Sequence, residues 1–88
     1  MASPYVGSTM IKHFTVWSKD NCAYCTRAKE LITLKGYAYE EKKVTQGGYT
    51  MEQLLETVPY ARTFPQILVN GELIGGYEHL VTWFQTND

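Results

Sequence analysis

Apolar positions change their spacing several times along the chain, and each change marks a predicted element. From Ile11 to Trp17 the run IKHFTVW is short, β-branched and aromatic, and the polar cluster Ser18-Lys19-Asp20-Asn21 follows it. That pattern predicts a central strand. From Cys22 to Lys35 the period lengthens: Tyr24, Ala28 and Leu31, with Cys25 and Ile32 beside them, recur at three and four residues. A helix is predicted there, with Gly36 as its left-handed stop. Tyr37 to Val44 alternates poorly and holds Glu40, Glu41, Lys42 and Lys43, as a solvent-facing edge strand would. Strand, helix and strand within this length predict one right-handed βαβ unit.

After the loop Gln46-Gly47-Gly48, Thr50 and Gln53 have the spacing of a capping box that opens a short helix through Met51, Leu54 and Leu55, closed by Pro59. Gln66-Ile67-Leu68-Val69 and Glu72-Leu73-Ile74 flank Asn70-Gly71, a strong hairpin signal, so these two strands are expected to be antiparallel. Gly75-Gly76 then leads into a last helix in which Tyr77, Leu80, Val81 and Phe84 form one apolar stripe. The order β-α-β-α-β-β-α, half parallel and half antiparallel, predicts an α/β fold with a mixed sheet of about four strands flanked by helices, a thioredoxin-like arrangement.

Composition narrows the function classes. At 88 residues and 44% hydrophobic the chain can build one core, so residues 10–88 are expected to be a single domain behind a flexible lead-in at residues 1–9. The formal net charge of -1 gives no basic field, so neither nucleic acid nor an anionic membrane is an expected partner. No run of apolar residues is long enough to span a membrane, and the start MASPYVGST does not resemble a secretory signal, so the cytoplasm is the expected location.

Two cysteines three residues apart, Cys22 and Cys25, are too few and too close to staple a fold. Placed where the first strand feeds the first helix, Cys22 falls at the helix mouth and Cys25 about one turn inside. Free N–H groups and the positive end of the helix dipole favour a thiolate at Cys22, with Lys19 and Arg27 adding positive charge. Such surroundings bring a cysteine from about 8.5 to roughly 3.5–7.5, so Cys22 is the expected nucleophile and the deeper Cys25 the resolving thiol. Three bland readings compete: inert buried cysteines, a permanent disulfide, and a zinc site completed by His13 and His79. A C-x-x-C at a strand-to-helix junction is rarely accidental, and so short a loop gains little from closure. His13 lies inside a predicted strand and His79 in the last helix, so no metal site is expected.

With these elements in place, the chain from Ile11 to Phe84 resembles a glutaredoxin. Three motifs in order carry the likeness: Lys19-Asp20-Asn21-Cys22-Ala23-Tyr24-Cys25 is similar to the family's K-x-x-C-P-Y-C, Ala61-Arg62-Thr63-Phe64-Pro65 to its A-R-T-V-P, and Ile74-Gly75-Gly76-Tyr77 to its I-G-G-Y. The later run through Trp83-Phe84 looks most like bacterial dithiol and phage-encoded members. The resemblance implies a glutathione groove. In it Pro65 is cis and turns the Phe64 backbone toward Cys22 to pair with the substrate peptide. Lys19 and Arg62 hold the glycine carboxylate, Thr63 and Gly76 belong to the same groove, and Tyr24 walls the sulfurs. The N–H groups of Tyr77 and Glu78 receive the γ-glutamyl carboxylate, with Gly75 and Gly76 keeping that approach open. The chain departs from the family pattern at Ala23, where Pro is usual, and at His79, where many relatives carry an acid, which leaves Glu78 as the expected partner of the γ-glutamyl ammonium.

The implied activity is that of a glutathione-dependent thiol-disulfide oxidoreductase, an enzyme reducing protein disulfides and glutathione mixed disulfides, with ribonucleotide reductase as one protein it could serve. Glutathione is then a co-substrate, no tightly bound cofactor is expected, and the chain is expected to act as a monomer. Two alternatives are carried: a thioredoxin-like redoxin recharged by a flavoprotein reductase, and a [2Fe–2S] carrier in which two chains hold a cluster through Cys22 and two glutathiones.

Overall fold

The computed structural model describes residues 12–87. The expected lead-in at residues 1–9, and the expected start of the first strand at Ile11, therefore lie outside the described residues. The elements run β1 (Phe14–Lys19), α1 (Ala23–Leu34), β2 (Tyr39–Val44), α2 (Met51–Thr57), β3 (Gln66–Val69), β4 (Glu72–Gly75) and α3 (Tyr77–Asn87). One 4-stranded sheet has the order β2-β1-β3-β4. β1 pairs parallel with β2 and antiparallel with β3, and β3 pairs antiparallel with β4. The expected mixed sheet of thioredoxin-like arrangement is thus present, with β1 central and β2 at an edge.

Local chemistry closes each element. Helix α1 ends in a Schellman motif: the Tyr37 N–H donates to the Ile32 carbonyl at 3.1 Å and the Gly36 N–H to Thr33 at 2.9 Å, with Gly36 at φ 89. Thr50 and Gln53 form the full capping box of α2, the Gln53 N–H donating to Thr50 Oγ1 at 3.1 Å and the Thr50 N–H to Gln53 Oε1 at 2.8 Å. At the hairpin, Asn70 and Gly71 both have positive φ, 53 and 85, as a turn matched to the strand twist requires.

Strand alternation divides the core between the two faces of the sheet. Phe14, Val16, Ile67 and Val69 pack with Ala28 and Ile32 of α1 and Leu80 and Phe84 of α3. Trp17 and Leu68 point the other way, onto Leu54 of α2 and Val58. Helices α1 and α3 therefore share one face, and α2 covers the opposite one.

Two expectations shift. β1 continues through Ser18 and Lys19 instead of stopping at Trp17, because Ser18, only 1% exposed, finds its polar partner on the neighbouring strand: its hydroxyl donates to Glu41 Oε2 at 2.6 Å. On α1 the buried stripe is Cys25, Ala28 and Ile32, while Tyr24 is 51% exposed. The phase is set by which side chains meet the sheet, and Tyr24 turns outward to a different role.

Candidate active site

The turn from β1 into α1 is built to present sulfur. Asn21 adopts φ 55, a left-handed conformation open to Asn at modest cost, and delivers Cys22 to the N-cap of α1. The Cys22 sulfur takes the place of a capping oxygen, accepting from the Cys25 N–H at 3.1 Å. Its carbonyl accepts from the Thr26 N–H at 3.2 Å. Cys22 and Cys25 are joined as a disulfide with Cα atoms 5.2 Å apart. Cys25 is 2% exposed, whereas Cys22 is only partly covered. An incoming sulfur can therefore reach Cys22 and not Cys25, which is the asymmetry expected of a nucleophile and a resolving thiol.

Two ionic contacts brace this turn. Asp20, beside the turn, is bonded by the Thr45 hydroxyl and lies 3.4 Å from Lys43 Nζ. The Thr45 hydrogen bond, helped by Lys43, holds the Asp20 carboxyl below the usual carboxylate range. Behind α1, Glu41 accepts from Ser18 and, at 2.9 Å, from Lys29 Nζ, so one carboxylate ties β1, β2 and the cysteine-bearing helix together. The Ser18 hydroxyl is the main cause of a Glu41 carboxyl held below its ordinary value; partial burial opposes it, and Lys29 adds to it.

Beside Tyr24 of the C-x-x-C lies an open cleft of ≈ 430 Å³. Thr63, Phe64 and Pro65 form one wall, and Gly76, Tyr77, Glu78 and His79 form the other. The Phe64–Pro65 peptide is cis. Tyr24 and Tyr77 close the near end with ring centroids 5.8 Å apart. Seven sequence-predicted residues thus meet in one cleft although they come from three distant segments. Lys19 and Arg62 do not line it. Lys19 Nζ sits 5.7 Å from the Phe64 ring centroid, next to the wall. Arg62 is exposed two residues before Phe64, with no ion-pair partner among the described residues. Arg27 stacks at 5.3 Å over the Tyr24 ring, a position that supports the aromatic wall as well as adding charge.

One lining residue, His79, was not expected to belong to the site. Its ring occupies the space over Gly75, where a Cβ would fall 2.7 Å from Nδ1. Gly75 therefore makes room for this imidazole, while the space over Gly76 faces the Pro65 carbonyl at 3.6 Å and stays open. The signal was available in the sequence as a histidine two residues after the aromatic of G-G-Y. A second groove of ≈ 450 Å³ runs along Thr26, Lys29, Glu30, Thr33, Leu34 and Tyr39; unlike the cleft beside Tyr24, it takes no residue from the Ala61–Pro65 or Ile74–Tyr77 motifs. The chemistry belongs to the cleft that adjoins the C-x-x-C. Among the described residues no group of three or more His, Cys, Asp and Glu side chains is placed to hold a metal ion, and no helix is long and apolar enough to cross a membrane.

Comparison with known proteins agrees with this geometry. The glutaredoxin family model matches residues 14–74. The chain is 31% identical over 65 residues to glutaredoxin 3 of Escherichia coli K12, covering 74% of this chain and 77% of the relative. Its fold superposes on reduced Escherichia coli glutaredoxin with a TM-score of 0.72 at 28% identity, covering 85% of this chain and 95% of that one. It also superposes on a buckwheat glutaredoxin–glutathione complex, with a TM-score of 0.62 at 25% identity over 83% of this chain and 68% of that one.

Proposed function

Because the chain belongs to the glutaredoxin family and is a thiol-disulfide oxidoreductase, we propose that it draws its electrons from glutathione and reduces both protein disulfides and glutathione mixed disulfides. The observation that carries this reading is the cleft itself: residues of all three motifs, Tyr24, Thr63-Phe64-Pro65 and Gly76-Tyr77, line one concavity beside the C-x-x-C. A tripeptide with an extended backbone and a carboxylate at each end fits such a groove. The backbone of Phe64 pairs with its cysteinyl unit. Lys19 and Arg62, flanking the Phe64 wall, take the glycine carboxylate, and the start of α3 takes the γ-glutamyl end through the N–H groups of Tyr77 and Glu78.

The reaction proceeds by successive displacements at sulfur. The Cys22 thiolate attacks one sulfur of a substrate disulfide, forming a mixed disulfide and releasing the other sulfur as thiolate. With a protein substrate, the Cys25 thiolate then attacks Cys22 Sγ, freeing the reduced protein and leaving the Cys22–Cys25 disulfide. One glutathione thiolate attacks Cys22 Sγ and releases Cys25. A second attacks the glutathione sulfur of that adduct, yielding glutathione disulfide and the Cys22 thiolate. A glutathione mixed disulfide needs only Cys22. In this reading the enzyme acts as a monomer, which is supported by one chain carrying both cysteines and the whole cleft, and the disulfide of a ribonucleotide reductase is one protein substrate.

The test is the source of electrons. With NADPH and a small disulfide, turnover should require glutathione and glutathione reductase, and thioredoxin reductase should not replace them. Efficient turnover with thioredoxin reductase and none with glutathione would assign the chain to the reductase-linked redoxins instead.

A further inference from the structure

At the α3 end of the cleft stand two side chains able to read charge, Glu78 and His79. Neither has a hydrogen-bond or ion-pair partner among the described residues. They differ in how firmly they are held. Both are exposed, and the rotamer-rich Glu78 gains little from an exposed ion pair because water screens it and ordering the chain opposes it. His79 is braced: a Cβ on Gly75 would lie 2.7 Å from its Nδ1 and 2.8 Å from its Cγ, at a glycine whose φ of 117 few other residues tolerate. With Nδ1 and Cγ nearest Gly75, Nε2 lies on the far edge of the ring, where it can donate a hydrogen bond when it carries the proton. The N-terminus of α3 adds a partial positive charge at the same place, which favours an anion and disfavours an ammonium.

Resting on the glutathione reading above, we propose that His79 is the specificity-determining residue of this end of the cleft. Its Nε2–H donates to the free α-carboxylate of the γ-glutamyl group, so the enzyme selects thiols and mixed disulfides for that carboxylate and makes little use of the neighbouring ammonium. The substrate class is therefore anionic at this end: γ-glutamyl thiols whose amino group is free or blocked are both accepted, and those whose α-carboxylate is blocked are not.

The experiment uses one peptide carried as four mixed disulfides: with glutathione, with N-acetylglutathione, with glutathione amidated at the γ-glutamyl α-carboxylate, and with 2-mercaptoethanol. In the wild-type enzyme amidation should raise KM about ten-fold, and N-acetylation by less than about three-fold. His79→Ala should bring the amide and parent substrates to similar KM values, His79→Gln should restore part of the difference through its amide N–H, and His79→Asp should make the N-acetyl substrate the poor one. The wild-type comparison is decisive without any variant: N-acetylation harming KM as much as amidation overturns the proposal, as does a His79→Ala enzyme that keeps the discrimination. If the wild-type enzyme handles the glutathione and 2-mercaptoethanol disulfides alike, the glutathione reading falls and this proposal falls with it.

Discussion

Replacing Ser18 with alanine should destabilise the protein measurably while changing side-chain volume little. Ser18 is 1% exposed and gives its hydroxyl to Glu41 Oε2 at 2.6 Å, the oxygen that also accepts from Lys29 of α1. A hydrogen bond to a charged group contributes about 1.5–3 kcal/mol. The Glu41 side chain keeps 28% of its exposure, so water partly replaces the lost donor, and the expected loss is near the lower end, about 1.5 kcal/mol. For a domain of this size, each kcal/mol moves Tm by about 4–8 °C, so Ser18→Ala should melt about 6–12 °C lower at neutral pH. The effect carries its own control. The bond holds the native Glu41 carboxyl below its unfolded value, so the stabilisation is complete above the ordinary carboxylate range and is lost as pH falls through the lowered native value. The gap between wild type and variant should be full at pH 7 and shrink from about pH 5 downward. Urea unfolding of the oxidised protein followed by circular dichroism at pH 7 and pH 3 measures both quantities. A difference under about 0.5 kcal/mol at pH 7, typical of an uninvolved surface position, would refute the reasoning. So would a gap that does not change with pH.

Thr50→Ala should lower stability by about 1 kcal/mol in the same urea assay, since it removes one half of the capping box of α2. Arg62→Ala should raise the apparent KM for a glutathionylated peptide by about ten-fold, the loss of one charge-assisted hydrogen bond, and added salt should shrink that difference. In the Cys25→Ser background, thiolate absorbance should show Cys22 titrating below a free cysteine, because the helix mouth stabilises its anion; Lys19→Ala should raise the midpoint modestly.

Features governed by neighbouring residues were readable from the sequence. The Gly36 stop, the Thr50/Gln53 box and the Asn70-Gly71 turn each depend on backbone preferences within a few positions, and each appears as expected. Features governed by distant residues were not. Ser18 looked like the beginning of a turn because its partner, Glu41, lies on another strand, and Glu41 itself looked like one more solvent-facing charge of the edge. Tyr24 meets Tyr77, fifty-three positions later, a contact that no local pattern reveals. The strand-to-helix junction alone suggested different roles for the two cysteines, and the structure adds a difference in access between Cys22 and the buried Cys25. Most of the cleft was legible only through three motifs taken jointly, since Gly76, Thr63 or Arg62 in isolation carries no distinctive physical signal. The His79 ring over Gly75 could not be foreseen, because a glycine pair before a helix does not reveal which space each glycine leaves empty.

The division of labour between the two cysteines is tested most directly by comparing Cys22→Ser and Cys25→Ser on a glutathionylated peptide and on a protein disulfide, with glutathione and glutathione reductase supplying electrons. Cys22→Ser should be inactive on both, because the remaining thiol is the one buried beneath the helix mouth. Cys25→Ser should still reduce the glutathionylated peptide, which needs one thiol, and lose most of its activity on the protein disulfide, which needs two. If both variants were equally inactive toward the glutathionylated peptide, or if Cys22→Ser retained activity, the assignment of nucleophile and resolving thiol would be contradicted.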